Sequence, residues 1–404
     1  MTRQVTSVYT SPRARRDFWL FCVATFLGCL TSSTIAYLSV ILSSLGVPQA
    51  QIGMILSSPL VPVTFAILLS GPLISRFSAL GVMLCGQLIS LLAFLSLQWD
   101  VANPVWAGAG RVLLGLGFGM FFPAALVYAK SKLQGPKTAY LFGIAASMVP
   151  LPNIVGPPLA EAYFLAFGIK LFFVVFALPL MASILMLMTL GDEPASNRAN
   201  ASRDLEYWRL LTMRSIGVPL YSVLVVGLAW GFVVSFMSLL LHRRGLNTVY
   251  FFSTCTATLF FSRFVILGLL VRTPKEAVVA LGLALMAASF FVIGTSGIHP
   301  IVVVAAGVAF GLGYSVAFPV LSVWVSDQFR AEQRGKPVAL LSALFQFGIY
   351  AVPYIVASSA GILSLDAVMI WLSGVAGSLS VALIIAHHWR QHHELVRAKA
   401  PLVE

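Results

Sequence analysis

The sequence predicts an all-α membrane protein, with twelve transmembrane helices in two parallel six-helix repeats. Three observations predict it. Hydrophobic residues make up 59% of the 404 residues and charged residues only 9%, against about 25% charged in a soluble domain. The chain divides into twelve apolar stretches separated by short polar ones, and about 20 apolar residues suffice to cross a bilayer as helix. Finally, the chain matches itself at an offset of 196 residues: Gly115, Gly117 and Pro123 return as Gly311, Gly313 and Pro319, Arg76 falls on Arg272, and Pro157 on Pro353. A gap-free repeat of this length says that one bundle has been doubled.

The spans follow in order. The first, 18–42, comes after a basic start carrying Arg3, Arg13, Arg15 and Arg16. It is too long for a signal-peptide core and lacks a small-residue cleavage site, so it is expected to be retained. Five more are expected at 50–74, 79–98, 104–129, 138–166 and 170–190. The polar stretch 191–214 is the one clear shift in composition and is expected to be a cytoplasmic linker. The second six are expected at 216–241, 249–270, 276–296, 299–325, 337–360 and 365–386. The domain plan is an N-terminal six-helix bundle at 1–190, the linker, a C-terminal bundle at 215–390 and a cytoplasmic tail at 391–404. Six spans per half is an even number, so both halves enter the membrane from the same side and their pseudo-axis lies along the membrane normal.

Orientation follows from the basic residues. With the N-terminus in the cytoplasm, only Lys170, Arg243 and Arg244 fall outside, Arg111 and Arg263 lie within spans, and the rest of the 25 Lys and Arg lie inside. The positive-inside rule therefore places both termini in the cytoplasm of a multi-pass inner-membrane protein. The net charge of +12 reads as this topology signal plus attraction to anionic membrane lipid, not as a nucleic-acid footprint. A monomer is expected. Cys22, Cys29, Cys85 and Cys255 form no CxxC and lie in apolar segments, so buried free thiols are expected. His388 and His392, four apart in the tail, could hold a metal on one helical face, but a basic amphipathic tail on the inner leaflet is the favoured reading. No cofactor, no resident metal and no nucleophile–base constellation is expected, so the chain does not read as an enzyme.

Four local patterns add to the architecture. Span four reads Gly110-Arg111-Val112-Leu113-Leu114-Gly115-Leu116-Gly117, an Arg-x-x-x-Gly-x-Gly pattern. Span ten and its loop run from Gly311-Leu312-Gly313-Tyr314 to Arg334-Gly335. Span five contains Gly156-Pro157. The loop after span two holds Gly71, Ser75 and Arg76. Over essentially the whole chain these features resemble the major facilitator superfamily, in particular its bacterial efflux-type branch. The resemblance implies alternating access by two rocking halves, with Gly71, Arg76, Gly156, Pro157 and Arg272 as gating residues. Gly156-Pro157 is the centre of a pattern linked with antiporters. Two departures stand out. Ser75 replaces the acid of a Gly-x-x-x-Asp-Arg loop motif, which removes a carboxylate expected to latch the outward-facing state. In the antiporter pattern, Pro152 stands at the first glycine, and Ala160 and Glu161 replace the final pair.

Membrane burial singles out the residues that could carry chemistry. An arginine at mid-span costs about 2.5–3.5 kcal/mol unless it is paired or lines water, which makes Arg111 and Arg263 candidates for substrate binding. Two guanidinium groups in one cavity would favour an anionic or zwitterionic solute. Glu161 is the one carboxylate placed clearly within a span, toward its outer end, and is the candidate for proton coupling. Ser32, Ser33, Tyr37, Asn153, Tyr221, Trp230 and Tyr314, with the Gln346, Tyr350, Tyr354 stripe four residues apart, are expected along the path, where they suit a solute with rings or apolar parts. Pro150, Pro152, Pro157 and Pro158 bend span five, as a gate or as a static kink. The Gly115, Gly117, Gly119 cluster is expected to allow close helix packing. The function expected from these residues is secondary active transport by proton-coupled efflux of a small organic molecule; the alternatives are uptake or exchange of a small organic anion and a transport-inactive membrane scaffold or sensor.

Overall fold

A computed structural model describes residues 9–134, 138–191, 207–269, 273–295, 299–329, 335–359 and 363–399. The described residues are helical almost throughout, with one isolated extended bridge between Tyr9 and Leu133. The twelve spans occupy Pro12–Ser44, Gln49–Phe77, Ala79–Ser96, Pro104–Ser131, the broken stretch from Thr138 to Phe167, Phe172–Met188, Arg214–Arg243, Val249–Leu269, Lys275–Thr295, Pro300–Ser326, Gly335–Ser358 and Leu365–Lys399. Nine helices among the described residues are long and apolar enough to cross a membrane.

The local starts are written in the sequence. Ser11 caps span 1 through its Oγ, which accepts from the Ala14 N–H at 3.0 Å, and Pro12 opens the helix. Asn103 followed by Pro104 starts span 4, and His299 followed by Pro300 starts span 10 at the same offset of 196 residues. In each case a side chain accepts from the first free backbone donors, and a proline sits where its missing N–H costs nothing.

The repeat persists in the packing. Span 4 lies so close to span 3 that a Cβ on Gly117 would collide with the Gly86 carbonyl. In the second half a Cβ on Gly313 would collide with the Gly282 carbonyl, and Gly86 and Gly282 are themselves related by the repeat. Gly115 likewise sits on Pro59, and Gly311 on Cys255 at the equivalent place. Glycine is required here because two backbones touch, not because of the turn geometry.

Span 1 begins earlier than the sequence suggests, so Asp17 lies inside the helix and is buried rather than in a loop. Its carboxylate accepts from the Gly191 N–H at 3.1 Å and pairs with Arg16 at 3.2 Å. The Gly191 carbonyl in turn accepts from Tyr128 Oη and Lys132 Nζ, each at 3.1 Å. This cluster ties spans 1, 4 and 6 together where the linker departs. Of that linker, 192–206 lies outside the described residues, and a short helix Tyr207–Thr212 leads into span 7. Span 12 continues as one helix to Lys399, through the region expected as a separate tail. Cys22, Cys29 and Cys255 are buried free thiols, whereas Cys85 is exposed.

Among the described residues four spans are broken, span 2 by a turn at Ser58–Pro59 between Gln49–Ser57 and Leu60–Phe77. Span 1 tightens into a 3-10 turn at Ile35–Tyr37, and span 7 widens into a π turn at Val233–Met237, close to the matching height in the repeat. Span 5 breaks at Leu151–Ile154 among its prolines. There Pro158 has no N–H for the Ile154 carbonyl, and Ser253 Oγ of span 8 donates to that carbonyl instead at 2.6 Å. Ser33 Oγ reaches the Pro152 carbonyl at 3.4 Å, and Asn153 Nδ2 donates to the Pro150 carbonyl at 3.0 Å.

Replacing Gly117 or Gly313 by leucine should cost about 1–3 kcal/mol of stability, as overpacking typically does, read as a lower thermal midpoint of the purified protein. Gly108→Leu on the same helix as Gly117, where nothing stands within 4 Å, should leave the midpoint unchanged. Equal midpoints for all three variants would show that the close helix contact is absent.

Candidate functional site

Between the two halves lies a cavity of about 870 Å³, lined by spans 1, 4 and 5 of one half and 7, 8, 9, 10 and 11 of the other. Along span 4 the lining positions are Arg111, Leu114, Phe118, Phe122 and Leu126, a stripe at helical spacing that runs from the deep end toward the end of the bundle holding the chain termini. Thr273, Lys275 and Val338 line it at that terminus end. The opposite, distal end is closed.

Arg111 is 7% exposed and lies at the deep end. Its Nη2 donates to the Leu56 carbonyl of span 2 at a long 3.4 Å, and its Nε has no hydrogen-bond partner. The guanidinium sits 5.9 Å from the ring centroid of Tyr350 in the other half. Among the described residues no carboxylate pairs with it, and no Asp or Glu lines the cavity. Lys275, the other lining cation, is paired with Asp327. A buried guanidinium with an unfilled fork is costly unless it awaits an anion or water.

Rings dominate both walls. Phe118 and Phe122 stack on the span 4 side, centroids 5.7 Å apart and 11° from parallel. Opposite, Trp230 stacks on Tyr314 at 4.5 Å and 20°, and Tyr314 runs on to Phe318 at 11°. Trp230 immediately precedes the break of span 7, and Val234 and Ser235 within that π turn also line the cavity. The turn rotates these side chains inward, as π turns at functional positions often do.

Of the residues expected on the path, Ser32, Ser33, Asn153, Trp230, Tyr314, Gln346 and Tyr350 line the cavity with Arg111. Tyr37 does not. It is fully buried in the distal closure, its ring edge-on to Phe164 and to His242 of the other half. Tyr221 and Tyr354 are exposed away from the cavity. Arg263 is on the helix of span 8, one residue after the lining Ser262, and its side chain lies outside the described residues. Arg272 is outside them altogether. Gly71 and Arg76 are exposed, Ser75 Oγ donates to the Pro72 carbonyl, and Arg76 lies over the Phe77 ring at 5.4 Å. Gly156 packs directly against Ser33, with Pro157 buried beside it. Phe118, Phe122, Phe318 and Phe345 line the site without having been singled out from the sequence.

The distal closure is built from contacts between the halves. Glu161 is buried, 5% exposed, rather than wet. Its Oε2 accepts from the Thr248 N–H at 2.8 Å and from Thr248 Oγ1 at 2.7 Å. Thr248 stands just before the helix of span 8, so the carboxylate also meets the positive end of that helix. Arg243 donates to Gln49 Oε1 at 3.1 Å, and Gly53 of span 2 packs on the backbone of Pro353 and Ala357 in span 11. Val63, Ile67 and Ala343 continue the same seam inward, with Phe118 and Tyr350 packed against them.

The family model of the Major Facilitator Superfamily matches residues 20–298. No curated relative matches the chain by sequence. Similar solved structures include the nucleoside transporter NupG, at 14% identity and TM-score 0.74, covering 91% of this chain and 98% of that one. A POT family transporter in complex with a thioalcohol-conjugated peptide aligns at 13% identity and TM-score 0.73, covering 92% and 96%. A POT family transporter in complex with 5-aminolevulinic acid aligns at 12% and 0.74, covering 92% and 96%. At these identities the likeness is one of fold.

The Glu161–Thr248 contact generates a prediction. A hydrogen bond to a buried charge is worth about 1.5–3 kcal/mol, and about 1.4 kcal/mol is tenfold in an equilibrium. In a background without native cysteines, Gln49→Cys with Arg243→Cys should cross-link efficiently across the closed distal end. Adding Glu161→Gln should reduce the cross-linking rate by roughly tenfold. An unchanged rate would mean that the carboxylate does not hold the halves together.

Proposed function

The chain belongs to the Major Facilitator Superfamily, and from that premise we propose that it moves a small organic anion across the inner membrane by alternating access. It is a multi-pass membrane transporter, not an enzyme. The observation that carries the proposal is Arg111: a buried cation with an unfilled fork, at the deep end of a cavity that is open at one end, closed at the other and free of lining acids among the described residues. The positive-inside bias supports placing both termini in the cytoplasm, so the cavity of this state faces the cytoplasm. Rocking of the halves about the seam of spans 2 and 11 would then close the terminus end and part the distal contacts.

The direction of transport turns on Glu161. Proton-coupled efflux, suggested by the Gly156-Pro157 pattern, needs a carboxyl that meets solvent on both sides in turn. Glu161 does not line the cavity in this state and is engaged by Thr248. This favours uptake or exchange of the anion, driven by solute gradients, with Glu161 holding the distal end shut. An 870 Å³ cavity with a poised guanidinium also favours a working transporter over an inactive scaffold or sensor.

Counterflow in proteoliposomes tests the reading. Vesicles preloaded with an unlabelled organic acid should accumulate the labelled acid, and Arg111→Gln should lower the rate by at least about tenfold, the loss expected for a charge-assisted contact. Uncharged analogues carried equally well by both proteins would refute the anion. Acid-inside everted vesicles that load solute, and lose that ability with Glu161→Gln, would instead establish proton-coupled efflux.

A further inference from the structure

We propose that the cargo is a flat aromatic monocarboxylate, its acid group on Arg111 and its ring between the two stacked walls of the cavity. The inference rests on the transport reading above and names the chemistry of its cargo. The acid end follows from the guanidinium. Nη2 is weakly engaged by the Leu56 carbonyl and Nε is unpartnered, so one planar two-oxygen acceptor fills the fork. One such fork with no second unpaired cation described on the lining matches a single negative charge, since Lys275 is neutralised by Asp327.

The ring follows from the walls. Phe118 and Phe122 hold their planes 11° apart on the N-terminal half, two and three turns along span 4 from Arg111 on the same face. Trp230, Tyr314 and Phe318 form a second ladder of near-parallel planes on the C-terminal half. Rings prefer partners stacked with an offset, with centroids about 4.5–7 Å apart, and a cavity lined by ring groups from both halves rewards a flat insert more than a puckered one. Aromatic faces alone would also attract a cation. Arg111 on the same cavity opposes that, and among the described residues no lining acid offsets it. The volume of about 870 Å³ accommodates a fused two-ring acid with room for water.

The test is calorimetric binding to the purified full-length protein with four probes: 2-naphthoate, 2-naphthamide, the fully saturated decahydro-2-naphthoate, and acetate. The wild-type protein should bind 2-naphthoate at least tenfold more tightly than each of the other three. Arg111→Gln should erase the preference over the amide and keep the preference over the saturated acid. Phe118→Leu should do the reverse, and the thermal midpoints of both variants report that they are folded. Equal binding of the saturated acid overturns the ring, equal binding of the amide overturns the acid, and no binding by any probe overturns both. Counterflow of aliphatic acids with 2-naphthoate inert would remove this inference and leave the transport reading standing, whereas absence of all counterflow would remove that reading itself.

Discussion

Inside a bilayer every backbone carbonyl must find its donor within the protein, and the architecture is arranged around the places where this is hardest. Span 5 carries four prolines in nine positions, 150 to 158. The Ile154 carbonyl, freed by Pro158, is answered by Ser253 from span 8, while Ser33 from span 1 and its own Asn153 add side-chain donors to the Pro152 and Pro150 carbonyls of the break. Two of these donors come from other spans, one of them in the other half. The break in span 5 is therefore held from both sides in this arrangement of the halves. The kink, the closure and the cavity floor are one constraint seen from three directions.

The repeat separates what the scaffold needs from what the cargo needs. Gly86 with Gly282, Gly117 with Gly313, and the capped prolines at 104 and 300 occur in both halves, and each does the same steric task twice. Arg111 and Glu161 occur once, with Gly307 and Ala357 at the related positions. A doubled scaffold with unpaired functional groups gives two rigid bodies of matched shape and a cavity of unmatched chemistry. The symmetric scaffold suits the proposed rocking, and the residues that break the symmetry are those to which the proposal gives the cargo and the closure.

The spans, the doubling and Arg111 were legible because each leaves a strong local signal: long apolar runs, self-similarity, and a charge where charge is expensive. What was not legible depended on helix phase and on distant partners. Tyr37 was placed on the path because span 1 was read as continuous, and the 3-10 turn at Ile35–Tyr37 carries it into the closure instead. The Gln346, Tyr350, Tyr354 stripe is real for two members, but the third is exposed away from the cavity. Phe118 and Phe122 gave no contrast, since an apolar stripe on an apolar helix looks like lipid-facing surface. Glu161 stood out in the sequence, yet its burial depends on Thr248, 87 residues further on. Asp17 falls just outside the expected span 18–42, whereas the helix starts six residues earlier, at Pro12.

The Glu161–Thr248 contact has one more consequence. The same carboxylate joins the halves and covers the free donors at the start of span 8. Parting the halves strips both partners at once, and a bare carboxylate beside uncovered N–H groups must be hydrated. The distal end thus opens by admitting water at this contact. Solutes excluded from protein surfaces, such as sucrose, act against that uptake. Sucrose on the distal side is then a load on the parting of this contact, in the way that a membrane voltage is a load on a moving charge.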